Sequence, residues 1–441
     1  MTNLFKRAKK FTVDVFKSGD IIKIFAFIFT ALIILTIIQA LFLKFVLGKT
    51  ILYQSGIFYP TVPFGDFFLI NDSLVDFDPY HSPVDVNYPP FAILINIPFL
   101  WIMGKNTFSV RSFTAILLYH AIAVFLLIII IRKIKRKYNL NYNTGFIFFL
   151  LCFSFPFLFL TERFNNLLFV FIFTLIFVLY YDDESKYKRE AALLCLAMAS
   201  AMKIYPCLFA LILLKEKKIY ALLRAAGYTV VLLIVPFFAF KGGLNNLKPM
   251  IDGLFFFSGE HLASGDPLKW YRRMCYNCSF TNFFQILYNL LPGHSGRLSG
   301  SAVKIFTYLS YGLLALMLLS CLFLKKKWQL FLMIALAVIL CPSVSYSYVL
   351  ILIFISFIMF LFEAERNKKD LFYLVLFILI FSPLQFFSIY LQTDLPFEYG
   401  YVFGLPVTYF FRQISMFIFA GVLFAAAFKN VFAHAFADKE K

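Results

Sequence analysis

The chain has 441 residues, of which 62% are hydrophobic, 20% aromatic and only 15% charged. A soluble globular domain usually carries about a quarter charged and under half apolar residues, so this composition excludes an ordinary soluble fold in favour of a membrane one. The net charge of +18 is not a nucleic-acid signature, because the basic residues cluster between apolar blocks, at 6–10, 132–137, 186–189, 215–218, 325–327 and 366–369; clusters of that kind mark cytoplasmic loops.

Apolar blocks near the ~20 residues a helix needs to cross hydrocarbon recur along the chain. They predict an all-α polytopic membrane protein, a single transmembrane domain over residues 1–441. The first block follows a long basic segment and is too long for a signal h-region, so no cleavable signal peptide is expected. With the basic clusters held inside, residues 22–46 cross outward, 113–131 return, 145–160 cross outward and 167–181 return.

Block 191–214 has basic signals at both ends, so it is expected to form a hairpin of two short or re-entrant helices. Its junction falls at 203–206, where Pro206 disfavours helical geometry in the residue before it. Block 330–362 lies between two further basic clusters and is a second such hairpin, broken at 342–345. Non-helical backbone at membrane depth is tolerated only against protein or a water-filled cavity, so the two breaks should line one cavity on the outer side. Residues 220–240, 303–324, 372–391 and 407–428 complete about twelve crossings, with both termini cytoplasmic and two large outer loops, 48–111 and 241–302.

The first outer loop holds the carboxylates Asp66, Asp72, Asp76, Asp78 and Asp85 directly after a transmembrane block. A carboxylate there acts as a general base where it reaches an acceptor hydroxyl; the plain alternative is a solvated acidic loop. Thr161-Glu162-Arg163-Phe164-Asn165-Asn166 interrupts two apolar blocks with a charged pair, or caps a helix turn. Lys203 sits within an apolar block, where a buried lysine costs about 2.5 to 3.5 kcal/mol, so it needs a partner or a cavity unless it snorkels to the interface. The second loop offers Glu260, His261, Asp266, Lys269, Trp270, Arg272, Arg273, Tyr276 and Asn277, a mixture suited to phosphate, carbohydrate or lipid headgroups. Five of the seven cysteines lie in apolar blocks, and Cys275 with Cys278 is a lone CxxC with no second pair to make a zinc site.

These segments, in this order, resemble the DUF2029 group of membrane glycosyltransferases, glycosyltransferase family 87 of the GT-C class. The resemblance runs through Asp66-Phe67, Asp78-Pro79-Tyr80, Tyr88-Pro89-Pro90, Glu162-Arg163 with Asn165, Lys203 with Pro206, Asn277 with Ser279, and Pro342 followed by Ser345, Tyr346 and Tyr348. It spans residues 65–350. The family pattern usually has a Trp and a His before the last Tyr, where this chain has Ser345 and Ser347, and Glu162 departs from a commoner Gly-Gln turn.

The resemblance implies a GT-C-like bundle of about twelve transmembrane helices with two short-helix hairpins and two large outer loops. It also implies an inverting transfer at the outer face of the plasma membrane. The donor is a polyprenyl-phosphate-linked sugar of mannose or arabinose type, and the acceptor is a hydroxyl on a glycolipid or glycan. Asp66 is the expected base, since it closely follows the first helix and Gly65 lets the chain approach closely. Lys203, Arg163 and Arg273 are expected on the donor phosphate, and Glu162, Asn165, Tyr88, Asn277 and Tyr348 on substrate. No cofactor and no metal ligands are assigned, and the partners are donor, acceptor and membrane lipids rather than nucleic acid. The alternative class is a transporter, flippase or polymerase of lipid-linked sugars.

Overall fold

The computed structural model describes residues 13–16, 20–46, 48, 64–74, 77–81, 88–104, 109–137, 144–253, 276–291, 298–365, 367–385, 388–390 and 404–437. In chain order its helices are α1 (Ile21–Phe45), α2 (Gly65–Ser73), α3 (Pro90–Leu94), α4 (Ile97–Met103), α5 (Val110–Lys137), α6 (Thr144–Cys152), α7 (Phe155–Arg163), α8 (Leu167–Tyr180) and α9 (Lys186–Met202). They continue with α10 (Leu211–Lys215), α11 (Ile219–Ile234), α12 (Phe280–Asn289), α13 (Gly300–Cys321), α14 (Lys327–Leu340), α15 (Ile353–Glu363), α16 (Lys368–Phe381) and α17 (Val407–Ala437). Three-residue strands β1 (Ser388–Tyr390) and β2 (Gly404–Pro406) pair antiparallel, a small exception to an all-helical chain.

Five helices, α1, α5, α11 with its 3-10 extension, α13 and α17, are long and apolar enough to cross a bilayer, or six spans if the bent pair α6–α7 is one. Length and composition thus account for half or less of the roughly twelve crossings expected from the basic clusters. The long helices turn apolar side chains outward, such as Leu309, Leu316 and Leu319 of α13 and Leu223, Val230 and Val231 of α11. On a soluble protein such surface would be an aggregation liability; here it is the face offered to lipid. Helices α8 and α14 have 14 residues each, about 21 Å at 1.5 Å per residue. Both are apolar on every side and buried, the pattern of a central helix walled off by others.

Both predicted breaks are present. Helix α9 ends at Met202, Lys203 is extended, and a 3-10 turn (Tyr205–Ala210) with Pro206 at its start leads into α10. Helix α14 ends at Leu340, and the chain resumes as a 3-10 turn (Ser347–Leu352) entering α15.

Three local expectations need correction. The crossing expected at 145–160 is broken, with α6 and α7 meeting at 62°, because Pro156 starts α7 and the Ser154 side chain caps it by accepting from the Phe157 amide. The crossing expected to reach residue 391 stops at Phe381, since Pro383 biases Ser382 away from helix. Parts of the first outer loop are ordered as α2, α3 and α4 rather than as simple connection.

Among the described residues, the basic clusters at 132–137, 215–218 and 325–327 gather at one end of the bundle. Lys327 pairs with Asp182 at 2.6 Å and Glu216 at 3.8 Å, Lys137 with Asp182 at 3.9 Å, and Lys218 with Glu216 at 2.6 Å. Lys326 bonds Glu365 at 2.5 Å, and that hydrogen bond and charge hold the exposed Glu365 carboxyl below its ordinary value. Each pair is partly exposed and worth little alone. Together they tie the ends of α5, α8, α10, α14 and α15 into one layer, as expected if these loops share a compartment.

This shared end is testable by labelling. In a Cys207→Ser, Cys275→Ser background, which removes the one exposed thiol among the described residues and the cysteine outside them, Lys186→Cys and Lys369→Cys should react with an impermeant maleimide from the same side, in inverted vesicles and not in intact cells. Opposite sidedness for the two positions would contradict the packing.

Candidate functional site

The site begins at the turn between α7 and α8. Phe164 closes α7 in the left-handed region, φ 56°, a conformation uncommon for a bulky residue and sustained only where the surroundings impose it. Phe164 is fully buried against Phe67 at 5.1 Å and Tyr119 at 4.7 Å between ring centroids. The turn so formed presents Arg163 and Asn165 on one side. Asn166 faces the other way, accepting from Asn96 Nδ2 at 2.9 Å and from the Tyr119 hydroxyl at 3.1 Å, and so ties the turn to α4 and α5.

A second left-handed phenylalanine, Phe64 with φ 60°, brings the first loop to that turn. Its amide donates to the Glu162 carbonyl at 2.8 Å. Gly65 then lies so close to Arg163 that a Cβ there would stand 3.0 Å from both terminal guanidinium nitrogens, which is why glycine fits and a larger residue would force the arginine to move. Asp66 follows in the first turn of α2, where the helix dipole favours a carboxylate.

The Asp66 carboxylate is the hub. Arg163 Nη2 donates to Oδ1, and Asn165 Nδ2 donates to Oδ2 at 2.6 Å. The same Asn165 amide reaches the Tyr88 hydroxyl at 3.1 Å, while its carbonyl oxygen accepts from the Leu167 amide at 3.0 Å. Asn165 therefore both accepts from the first amide of α8 and donates to Asp66. Tyr88 is fixed in turn by Tyr80, whose hydroxyl donates to the Tyr88 carbonyl at 2.9 Å. Lys203, at the first break, extends its ammonium over the Tyr88 ring, 4.1 Å from the centroid, a favourable cation–π contact. Lys203, Tyr88 and Tyr348 all lie within electrostatic reach of Asp66.

The second break is held by the end of the second large loop. Asn277 and Tyr346 form an isolated β-bridge. Asn277 Oδ1 accepts from the Ser345 amide at 2.8 Å, and its Nδ2 donates to the Ser343 carbonyl at 3.2 Å. The Cys278 amide donates to Ser345 O at 2.7 Å, and the Ser347 amide to Tyr276 O at 2.8 Å. These bonds satisfy backbone that the break leaves unpaired, as a low-dielectric interior requires. Above the bridge, the Tyr276 and Tyr348 rings stack on Phe159 of α7, at 5.1 and 5.9 Å. Tyr348 is within electrostatic reach of Tyr205, so the two breaks face each other.

The structure thus gathers Asp66, Arg163, Asn165, Tyr88, Lys203 and Tyr348 from four separated segments: the first loop, the α7–α8 turn and the two breaks. Glu162 is buried beside Arg163. Asn277 is near but spends its amide on the backbone of the second break. Asp72 is exposed on α2, and Asp78 bonds His81 at 2.8 Å at the surface. Asp76, Asp85, Arg273 and Cys275, with Glu260, His261, Asp266, Lys269, Trp270 and Arg272, lie outside the described residues. Among the described residues no three His, Cys, Asp or Glu side chains converge as metal ligands.

Two residues escaped the sequence reading. Tyr205, whose buried hydroxyl has no hydrogen-bond partner among the described residues, stands beside Tyr88 and Tyr348. Arg412 is a buried arginine in α17, detectable by the same test that singled out Lys203, a charge inside an apolar block.

Residues 87–264 match the model of glycosyltransferase family 87. The match bears out the family resemblance and takes in Tyr88, Glu162, Arg163, Asn165 and Lys203. No curated protein matches the chain.

Asp66 and Arg163 are both mostly buried, with side chains 13% and 17% exposed. Removing one partner of such a pair strands the other and costs about 3 to 5 kcal/mol. Arg163→Met should lower stability in detergent unfolding by an amount of that order, and adding Asp66→Asn to it should restore much of the loss. Additive losses in this double-mutant cycle would show that the pair is not coupled.

Proposed function

Taking the match to glycosyltransferase family 87 as premise, we propose that this protein transfers a sugar of mannose or arabinose type from a polyprenyl-phosphate donor. The acceptor is a hydroxyl of a glycolipid or glycan at the outer face of the plasma membrane. Asp66 is the general base of a single inverting displacement. The observation that carries this reading is the convergence of the mostly buried Asp66 carboxylate with Arg163 and Lys203 where two broken helices meet.

Each oxygen of a carboxylate offers two acceptor directions. Arg163 and Asn165 occupy one on each Asp66 oxygen, which fixes the carboxylate plane and leaves room for an incoming hydroxyl. In the proposed step the acceptor oxygen forms its bond to the sugar C1 as Asp66 takes its proton. The bond from C1 to the phosphate oxygen breaks on the opposite face, and inversion follows. The departing phosphate needs no protonating acid where cations stabilise its charge. Lys203 is suited to that role, because its ammonium has no hydrogen-bond partner among the described residues and only the Tyr88 face beneath it. Arg163 commits one nitrogen to Asp66, but a guanidinium has five donors in all. Arg273, Glu162, Asn165, Tyr88 and Tyr348 complete the proposed substrate contacts, and Asn277 acts by holding Ser345 to Tyr348 in place.

Purified protein given a panel of polyprenyl-phosphate sugars should form product with at least one. Loss of a general base typically costs 10² to 10⁴-fold in rate, so Asp66→Asn should lose turnover on that scale while still binding donor. The same change at Asp72 or Asp78 should stay within a few-fold of the parent. A larger loss at either would move the base elsewhere. Lys203→Met removes a charged contact of about 1.5 to 3 kcal/mol and should weaken donor Kd roughly 10- to 150-fold. Unchanged donor affinity would take Lys203 out of the site.

A further inference from the structure

Arg412 lies in the second turn of α17 and is 3% exposed. Its Nη2 donates to the Ser382 carbonyl at 2.9 Å, its guanidinium covers the Phe155 ring at 3.5 Å, and its Nε has no hydrogen-bond partner among the described residues. No carboxylate among the described residues pairs with it; its titratable neighbour is the Cys278 thiol. A guanidinium taken out of water without an anion is among the costliest arrangements a bundle can hold.

Its surroundings are polar and incompletely satisfied. Cys278 donates from its amide to the Ser345 carbonyl, and the Ser345 hydroxyl has no partner among the described residues. Gln385, three residues beyond Ser382, accepts from Thr408 of α17, and its Nε2 has no partner among the described residues. A buried guanidinium without an anion, in a region that also holds an unpartnered hydroxyl and amide among the described residues, suits a tetrahedral oxyanion such as phosphate, which arginine grips in bidentate fashion.

The position is equally specific. Phe155, under Arg412, begins α7, and Arg163, on Asp66, ends it, eight residues on, an axial separation of about 12 Å. The stacked rings of Phe155, Phe159 and Tyr348 line the interval. A base, an attacking hydroxyl, a sugar carbon at near-attack range and a phosphate held by arginine form an in-line array on the order of 12 Å long.

We propose that Arg412 is a principal ligand of the donor phosphate, with Ser345 and Gln385 beside it, while Arg163 positions Asp66. This rests on the reading of the chain as a polyprenyl-phosphate-dependent transferase. The ligand chemistry, a phosphate ester on a lipid, could also be an anionic phospholipid headgroup, so the test uses both.

Binding of a sugar-free polyprenyl monophosphate to the purified full chain should be measured beside phosphatidylglycerol. The expected result is tighter binding of the monophosphate, roughly a 10- to 150-fold weakening in Arg412→Gln, a smaller one in Arg412→Lys, and no change in Asp66→Asn. Should Arg412→Gln not fold, protection of the parent against heating by the monophosphate and not by phosphatidylglycerol, reduced in Ser345→Ala, is the supporting result. Equal monophosphate affinity in a folded Arg412→Gln protein, or equal binding of both lipids by the parent, would overturn the assignment. Transfer by the parent alongside an unaffected Arg412→Gln would sink this inference and leave the proposed function standing. Arg412-dependent binding without transfer of any sugar would do the reverse.

Discussion

A carboxylate and a guanidinium cannot be carried singly into an apolar bundle, because the loss of hydration exceeds what packing returns. The Asp66–Arg163 pair meets that requirement across nearly a hundred residues of chain, joining the first helix of the large loop, α2, to the end of α7. The neighbouring features follow from it. Gly65 is needed because the guanidinium lies against the backbone; Phe64 and Phe164 adopt left-handed conformations to bring the two segments into register; and Asn165 uses its amide to complete the second carboxylate oxygen. Such a site is rigid where chemistry needs rigidity, since Asn165, which holds Asp66, is itself held by the Leu167 amide and reaches the Tyr88 hydroxyl.

The same constraint shapes the two broken helices. Each break frees backbone groups that lipid could not satisfy. At the second break the residues from Tyr276 to Cys278 supply partners strand-fashion, and Asn277 contributes its whole amide to the purpose. At the first break Lys203 leaves the helix and directs its charge to the Tyr88 face. Irregular backbone and charge thus occur together, enclosed by short buried helices such as α8 and α14, while the long helices α11 and α13 present apolar surface outward.

Features that depend on local chemistry were readable from the chain. Proline at 206 and 342 marked both breaks, the basic clusters marked the loops that meet at one end, and Lys203 declared itself by its cost in hydrocarbon. The Ser154-Phe155-Pro156 corner carried a cap and a proline too, but the apolar residues on both sides hid it as one crossing. Pro383 was overlooked in the same way. That Asp66 meets Arg163 is a different kind of fact, set by how α2 and α7 pack; the family resemblance and Gly65 singled out Asp66, but Arg163 was expected on the donor phosphate and the pairing was not foreseen. Asn277 was expected on substrate because its motif stands out; its role in pairing with residues 343–346 depends on contacts nearly seventy positions away. Tyr205 went unmarked because a tyrosine among aromatic and apolar neighbours carries no signal, whereas Arg412, a charge inside an apolar block, was open to the test that singled out Lys203.

The proposed reaction is one in-line displacement at the sugar carbon, with Asp66 on one face and a phosphate leaving from the other. The anomeric configuration of the product, read from proton couplings after purified protein is given a polyprenyl-phosphate sugar of known anomer and an acceptor, tests it most directly. Inversion at the anomeric carbon is the expected result. Retention would require a covalent intermediate or a second displacement and would contradict the assignment of Asp66 as base.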